Sequence, residues 1–215
     1  MKKILMIIIL ISSIFNTAHA KTTEQNTYSI LKKKIENAPQ IIEFFSFLCP
    51  HCYFLEKKYH LNYHIKKQIS NSIKIVRYHV NFLGGELGNL LTHIWEISKM
   101  IKLEEKVLIP IFEKVQKTKT IKNFHTLKNE FLKLTNINEK EFQFLWNNFV
   151  IKSIIYNQEI TQQQINLNYV PCIIINGKYI INNESINYTS LQNTINTYIN
   201  IIKTLLKKNN TDISS

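Results

Sequence analysis

Residues 44–56 read Phe-Phe-Ser-Phe-Leu-Cys-Pro-His-Cys-Tyr-Phe-Leu-Glu, an apolar run that ends at two cysteines and continues into helix-like sequence. The pattern predicts a buried strand that leads into a helix through a turn containing Cys49 and Cys52. The free N–H groups and the positive dipole end of that helix would favour the Cys49 thiolate over the thiol. Because a disulfide with a stable leaving thiolate is easily reduced, a Cys49–Cys52 bridge is predicted to oxidise thiols of other proteins.

The two residues between the cysteines suit a redox-active turn. Pro50 fits the first turn of a helix, because its ring fixes φ and its missing N–H would have no partner there. His51 adds a titratable ring beside the thiolate. We therefore include both residues in the predicted catalytic set.

Two other interpretations of the paired cysteines stay open. A zinc site needs four ligands, and the chain has only three cysteines in all, so a second pair is missing. A purely structural bridge would close a very short ring, which removes little loop entropy and adds little stability. Redox chemistry without a metal or a cofactor is therefore the favoured prediction.

Length and composition describe a globular chain. It has 215 residues, of which 45% are hydrophobic and 20% charged, and is long enough for one sizeable core. The formal net charge is +12. The lysines are scattered singly and in short clusters, which indicates a solvated basic surface and no nucleic-acid partner. Electrostatic steering toward acidic partners or an anionic membrane stays open.

Residues 1–20 have the features of a secretory signal peptide. Two lysines follow the first methionine, the run from Ile4 to Ile14 is apolar, and the segment ends in Ala-His-Ala at Ala20. The apolar run is too short for a comfortable membrane span, so we expect cleavage after Ala20 and a soluble mature protein. Export would place the cysteines in an oxidising compartment, where dithiol chemistry serves disulfide formation.

Strand signals lie on both sides of the first helix. A short strand at 28–31, a nearly continuous apolar strand at 40–47 and another at 73–80 are predicted, the last two in a β-α-β unit with parallel strands. Alternation places Glu43 on the face of Phe45 and Arg77 on the face of Ile75. In adjacent strands, Glu43 and Arg77 could pair beneath the redox turn.

The chain becomes helical after the glycine hinge at Gly84-Gly85. Helical spacing continues to about residue 160, and the last of these helices is predicted as one piece over residues 139–164. Its apolar stripe contains Phe142, Leu145, Trp146, Phe149 and Ser153. We expect residues 21–83 and 161–215 to form one domain, with residues 84–160 as an all-helical domain inserted into it.

Sheet character returns at Val170-Pro171. A cis bond there would expose backbone to a passing peptide. Two apolar strands flank Asn176-Gly177, which is a strong hairpin signal, and an amphipathic helix that starts near Leu191 closes the chain.

Cys172 directly follows that proline, and two roles are open for it. It could be a buried small hydrophobe, or a third thiol within reach of Cys49 that intercepts mixed disulfides. Side chains alternate along a strand, so Cys172 should point away from the side of Pro171. This alternation favours the buried role.

Together these motifs resemble the thioredoxin fold with an inserted helical domain, and they are similar to the DsbA family of thiol:disulfide oxidoreductases. The resemblance covers nearly the whole chain after residue 20. Its most specific parts are residues 43–47, 49–53, 78–82 and 84–85, with further agreement at 115–118, 146–147, 170–171 and 176–179. It implies an α/β fold in which Cys49 is the nucleophile, Cys52 the buried resolving thiol and Pro171 a cis-proline that faces them.

The resemblance also assigns a tuning role to the charged pair. Glu43 matches the position of a buried acid near the redox pair in this family. The basic partner is commonly lysine, whereas this chain has Arg77. Because arginine keeps its charge, the resemblance supports an electrostatic role for the pair and not a proton relay.

The function implied by the resemblance is that of a monomeric periplasmic dithiol oxidase. It would oxidise reduced, unfolded exported proteins and be reoxidised by a DsbB-like inner-membrane quinone reductase. Val170, Phe47 and Leu48 are predicted to hold extended substrate by shape and backbone hydrogen bonds. The alternatives are a periplasmic disulfide reductase or isomerase, and a peptide-holding chaperone with incidental cysteines, in which Cys49→Ser would leave client protection intact.

Overall fold

The computed structural model describes residues 27–211, with side chains to residue 208. Its strands are β1 (Tyr28–Ile30), β2 (Ile41–Phe45), β3 (Ile75–His79), β4 (Cys172–Ile175) and β5 (Tyr179–Ile181). Its helices are α1 (Pro50–Tyr59), α2 (Leu61–Gln68), α3 (Glu86–Met100), α4 (Glu104–Gln116), α5 (Phe124–Thr135), α6 (Glu139–Trp146), α7 (Phe149–Gln164) and α8 (Leu191–Thr211). A short 3-10 helix covers Asn183–Ser185. The five strands form one sheet in the order β1-β5-β4-β2-β3.

Strand β2 lies inside the sheet and carries the chain to the redox turn. All five of its residues are buried, as expected for a strand with neighbours on both edges and cover on both faces. It runs parallel to β3 and antiparallel to β4. The predicted β-α-β unit is therefore confirmed, although both strands are shorter than predicted.

The two faces of the sheet have different cover. On one face, Ile41 and Ile173 pack with Tyr59 of α1 and with Tyr198 of α8. On the other face, Ile42, Phe44, Cys172 and Ile174 pack with residues of the loops, including Ile35 and Leu167. This alternation follows from the period of two along a strand, and it places α1 on one defined side of the sheet.

The turn between β4 and β5 shows why the hairpin signal was reliable. Asn176 and Gly177 both have positive φ, 54° and 64°. A two-residue hairpin turn requires positive φ at these positions, because the turn then matches the twist of the two strands. A Cβ at Gly177 would also approach the Ile35 carbonyl oxygen to 2.5 Å. The predicted hairpin is confirmed, and it brings β5 beside β1 at the edge of the sheet.

Helices α3 to α7 lie between β3 and β4 in the chain and form the helical layer over the redox turn. Their core is continuous with the turn, since Cys49 and Cys52 belong to the same cluster of buried side chains as Trp95, Phe112 and Phe142. This packing connects the helical layer to the redox pair directly.

The helix predicted over residues 139–164 is wrong as a single piece. The chain breaks at residues 147–148, where the Asn148 Oδ1 atom accepts from the N–H groups of Val150 and Ile151 and starts α7. The break turns Phe149 outward, so this residue is 79% exposed and does not belong to the apolar stripe. Helix α7 also continues to Gln164, past the predicted domain boundary at residue 160.

Two sequence predictions concern the membrane and the leader. Within residues 27–211, none of the helices is both long and apolar enough to span a membrane. The predicted signal peptide at residues 1–20 lies outside the described residues.

Candidate active site

Cys49 is the N-cap of α1, with Pro50 in the first turn. The Cys49 Sγ atom accepts a hydrogen bond from the Cys52 N–H at 3.1 Å, which satisfies one of the free donors at the helix start. The pKa of Cys49 is lowered, chiefly because the Cys52 thiol donates to its sulfur. The N–H groups of Cys52 and His51 add to this effect, and burial opposes it. Cys49 therefore has the thiolate character that its place at a helix start predicted.

Cys52 lies one turn further along α1 and is 3% exposed. Its pKa is raised well above the ordinary value, first by burial and then by the hydrogen bond to Cys49 and by the charges of Cys49 and Glu43. Both cysteines are free thiols in this structure. The pair is thus asymmetric, with Cys49 as the sulfur that carries negative charge more readily.

The loop before β4 brings Val170 and Pro171 to Cys49. The Val170-Pro171 peptide bond is cis, as predicted. The Cys49 thiol donates to the Val170 carbonyl oxygen at an Sγ-to-O distance of 3.4 Å. The residues that the sequence places far apart therefore meet at the nucleophilic sulfur.

A cavity of about 780 Å³ opens beside this loop. Its lining includes Tyr28, His51, Tyr169, Val170, Pro171 and Tyr188. A cleft with aromatic walls and an accessible strand end suits an extended peptide.

His51, in the first turn of α1, lines the cavity. It packs edge-on against Tyr188, with ring centroids 5.6 Å apart. Burial lowers the pKa of His51, which favours the neutral ring. His51 therefore supports the Cys49 thiolate through its backbone N–H, and its ring contributes a dipole instead of a positive charge.

Phe47 and Leu48 precede the redox turn and have different environments. Phe47 is fully buried and packs against the rings of Phe45 and Phe112, at centroid distances of 5.3 and 4.9 Å. The prediction that Phe47 contacts substrate is therefore wrong, because the helical layer covers its side chain. Leu48 is only partly buried against the same core and keeps a position at the edge of the site.

Gln116, at the end of α4, holds the redox turn to the helical layer. Its Nε2 atom donates to the carbonyl oxygens of Phe47 at 2.8 Å and Cys49 at 3.0 Å. The Phe47 carbonyl precedes α1, whereas the Cys49 carbonyl also accepts from the Tyr53 N–H in the first turn of the helix. The sequence carried no signal for this contact beyond family resemblance at 115–118, because a glutamine near a helix end has many possible roles.

His79 supports the strand end beneath the site, and sequence reasoning missed it. It is fully buried, and its Nε2 atom accepts from the Phe47 N–H at 2.9 Å. Its Nδ1 atom lies 2.8 Å from the Thr92 hydroxyl, which itself donates to the Gly88 carbonyl. The chain of donors therefore requires a neutral ring with the proton on Nδ1, in agreement with a pKa lowered by burial to about 3.

The predicted pairing of Glu43 with Arg77 is confirmed. The two residues are register partners in β2 and β3, and the Arg77 Nε atom lies 2.7 Å from a Glu43 carboxylate oxygen. The Arg77 guanidinium also lies over the Phe45 ring, 4.7 Å from its centroid. A permanently charged group is thus held below the redox pair among apolar side chains.

Glu56 is a second carboxylate at Arg77, and the sequence analysis did not identify it. Its carboxylate lies 2.9 Å from the Arg77 Nη2 atom, and the residue is buried. Burial raises the pKa of Glu56 to about 7, with Arg77 opposing the shift and the Glu43 charge adding to it. Glu56 follows Cys52 by four residues on α1, a spacing that places both on one helix face and could have indicated it.

Cys172 has the environment of a core residue. It is fully buried beside Phe44 and Ile174, on the face of the sheet away from α1. Burial raises its pKa to about 12. The buried role favoured by strand alternation is therefore confirmed.

Metal ligands are not grouped around this site in the part of the chain that the structure describes. There, no three histidine, cysteine, aspartate or glutamate side chains form a cluster that could hold a metal ion. His60 and His64 are four residues apart, but His60 lies at the junction between α1 and α2 in a left-handed conformation, with φ of 48°, and only His64 lies within a helix.

Comparison with known proteins agrees with this geometry. A family model described as a DSBA-like thioredoxin domain matches residues 40–195. A thiol:disulfide interchange protein DsbA of Buchnera aphidicola is 47% identical over 97% of this chain and 99% of its own length. The corresponding protein of Escherichia coli K12 is 36% identical over 97% of this chain and its full length. The crystal structure of the Proteus mirabilis disulfide oxidoreductase DsbA superposes with a TM-score of 0.80 at 31% identity, over 85% of this chain and 95% of that one.

The fold and the paired cysteines define a thiol:disulfide oxidoreductase built on an α/β thioredoxin fold with a helical insertion. The chain belongs to the family of DSBA-like thioredoxin domains. Its activity is thiol:disulfide interchange, as in the relatives that share nearly its full length.

Proposed function

We propose that this chain is a periplasmic dithiol oxidase whose Cys49–Cys52 disulfide is transferred to reduced exported proteins. The asymmetry of the two thiols carries the proposal. Cys49 Sγ accepts from the Cys52 N–H and the pKa of Cys49 is lowered, whereas burial raises the pKa of Cys52. A pair that is stabilised in the reduced state gives up its disulfide readily.

The proposed reaction has two exchange steps. A substrate thiolate attacks the Cys49 Sγ atom, the Cys49–Cys52 bond breaks, and Cys52 leaves and takes up a proton. A second substrate thiolate then attacks the substrate sulfur of the mixed disulfide, and Cys49 leaves as its stabilised thiolate. The substrate loses two electrons and two protons; the cysteine pair gains the two electrons, one proton goes to Cys52 and the other is released to solvent.

The cavity beside Val170 and Pro171 is the proposed substrate site. The Proteus mirabilis DsbA has been solved with a non-covalently bound peptide of sequence PWATCDS, and that structure superposes on this chain with a TM-score of 0.79 at 30% identity. A peptide containing cysteine is therefore the kind of ligand we assign to the cavity. Val170 and the partly exposed Leu48 would lie against such a peptide, with Pro50 and His51 at the helix start and Glu43 and Arg77 tuning the pair from below.

Further parts of the proposal concern the setting of the protein. Residues 1–20 would direct export and be cleaved after Ala20. The mature chain would act as a monomer, with residues 21–83 and 161–215 as the thioredoxin-like domain around the helical insertion, whose last helix extends past residue 160. A DsbB-like inner-membrane quinone reductase would accept the electrons from the reduced pair.

The first test is the redox equilibrium of the Cys49–Cys52 pair with glutathione, in mature protein carrying Cys172→Ala. We expect a pair more oxidising than glutathione, with the reduced protein more resistant to denaturant than the oxidised protein. A strongly reducing pair would contradict an oxidase and support a reductase. Protection of clients by Cys49→Ser protein without any disulfide transfer by the wild type would support a chaperone.

A further inference from the structure

Asn183 connects the loop that faces Cys49 to the C-terminal helix. Its Nδ2 atom donates to the Pro171 carbonyl oxygen at 2.7 Å. Its Oδ1 atom accepts from the Tyr198 hydroxyl at 2.9 Å. Because one amide atom must donate and the other must accept, the two bonds together fix the orientation of the Asn183 side chain.

The anchor of this side chain lies in the protein core. Tyr198 is fully buried between α8 and the sheet. Pro171 has no N–H, so its carbonyl is the one backbone group through which hydrogen bonding can hold residue 171. The hydrogen bond from Asn183 therefore holds the loop at Pro171, one residue before β4 begins to pair with its neighbours in the sheet.

Tyr188 extends the same network to the other side of the redox site. Its hydroxyl oxygen lies 3.0 Å from that of Tyr198 and donates to the Asn183 carbonyl at 3.4 Å. Its ring packs against His51, between the two cysteines. The network thus reaches from His51 on α1 to Pro171 before β4 without including either cysteine.

The position of this loop determines what the Cys49 sulfur contacts. The Val170 carbonyl, next to Pro171, accepts a hydrogen bond from the Cys49 thiol at 3.4 Å. A carbonyl can accept from a thiol but not from a thiolate, so this contact favours the neutral form of Cys49. The same loop forms one wall of the cavity in which a peptide would meet Cys49.

We infer that Asn183 is a positioning residue of the redox site, which holds the Val170-Pro171 loop beside Cys49 through its hydrogen bond to the Pro171 carbonyl. The inference rests on the proposed role of this loop as a wall of the substrate site. It adds a residue that touches neither cysteine and to which the sequence assigned no role.

The test compares Asn183→Ala with Asn187→Ala, a change of the same residue type in the same connection. The Asn187 side chain accepts from the Thr189 N–H, and its carbonyl accepts from the Thr194 hydroxyl, so these hydrogen bonds do not go to the Val170-Pro171 loop. For Asn183→Ala we expect the rate constant for oxidation of a cysteine-containing peptide to fall about fivefold, the loss typical of one hydrogen bond. We also expect the pKa of Cys49, followed by thiolate absorbance, to fall because the Val170 carbonyl is released. Asn187→Ala should change neither quantity.

A second variant keeps the test independent of folding defects. Tyr198→Phe leaves the Pro171 bond in place but frees the Asn183 side chain, so it should cause a smaller change in the same direction. The double variant should be no worse than Asn183→Ala alone, because both changes reach the Val170-Pro171 loop through the Asn183 side chain. The melting temperature of each variant would show whether it is generally less stable. A general loss of stability alone would change neither the Cys49 titration nor the oxidation rate measured well below the melting temperature.

The outcomes distinguish this inference from the proposed function. Unchanged peptide oxidation and an unchanged Cys49 titration in Asn183→Ala would overturn the role of Asn183, whatever the activity of the wild type. Failure of wild-type protein to oxidise the peptide would contradict the proposed function, and the Cys49 titration would still decide on Asn183.

Discussion

Cys49 and Cys172 are both buried thiols, 5% and 0% exposed, yet their chemistry is opposite. Cys49 lies at the start of α1, where a thiol and two N–H groups donate to its sulfur and lower its pKa. Cys172 lies in β4 beside Phe44 and Ile174, and burial raises its pKa to about 12 although a hydrogen bond with the Tyr169 side chain opposes the shift. The comparison teaches that the balance between donors and burial, and not the exposed fraction of the side chain, decides which thiol of this chain can react as a thiolate.

The two environments are separated by very little sequence. Pro171 lies by the redox pair, and Cys172 is the next residue. The strand turns the Cys172 side chain to the other face of the sheet, beside Phe44. One step along the chain, from Pro171 into β4, therefore separates the cavity from the apolar core.

The largest effect is expected at Cys49. Cys49→Ser should reduce disulfide transfer to a reduced cysteine peptide to the uncatalysed rate, because the attacked sulfur is missing. Cys172→Ser replaces sulfur by oxygen in the same way, but in the apolar core. This variant should transfer disulfides at the wild-type rate when it is assayed below its melting temperature. An equal loss of disulfide transfer in the two variants would contradict the difference in reactivity between Cys49 and Cys172.

The next effect concerns a buried acid near the pair and extends the comparison to carboxylates. The pKa of Glu56 is about 7 in the folded protein against an ordinary 4.5, so the folded state holds the proton more tightly than the unfolded state. The contribution of Glu56 to the free energy of unfolding is therefore fully present below pH 4.5. It decreases by about 3 kcal/mol as the pH rises through 7. Denaturant titrations at several pH values should find that Glu56→Gln removes this decline.

Glu139 is a suitable control for that measurement. It is exposed, and hydrogen bonds from Lys128 and Gln143 lower its pKa. Glu139 therefore takes up its proton only at pH values below 4.5. Glu139→Gln should leave the decline between pH 4.5 and 7 unchanged. An equal decline in wild type and Glu56→Gln would assign it to another group.

A smaller effect is expected from removing the donor to Cys49. Cys52→Ala deletes the thiol that chiefly lowers the pKa of Cys49 but keeps the backbone N–H groups. Titration of the thiolate absorbance should therefore give a higher Cys49 pKa than in reduced wild-type protein. An unchanged pKa would mean that the helix start alone is sufficient.

The smallest effect is expected from Cys172→Ala. The side chain fills part of the apolar core, so its truncation should cost about 1 kcal/mol of the free energy of unfolding. Peptide oxidation and the Cys49 titration should stay at wild-type values. A changed redox equilibrium in this variant would show that the two regions are coupled after all.

The predictions that succeeded rest on local patterns. The apolar run before Cys49, the hairpin at Asn176-Gly177 and the pairing of Glu43 with Arg77 follow from periods and turn chemistry along a few residues. The single helix predicted over residues 139–164 failed because a side-chain cap at Asn148 outweighed an apparent apolar stripe. Phe47 was placed at the substrate because it lies just before the redox turn in sequence, whereas helices distant in sequence cover its side chain.

The sequence by itself determined the redox turn, the strand that leads into it and the side of β4 on which Cys172 lies, since each depends on neighbours a few residues apart. Tertiary structure alone decided the contacts of Gln116, His79, Glu56 and Asn183 around that turn. The physical reason is that hydrogen bonds between distant segments depend on where the packed core places their partners, and residue spacing carries no record of that placement.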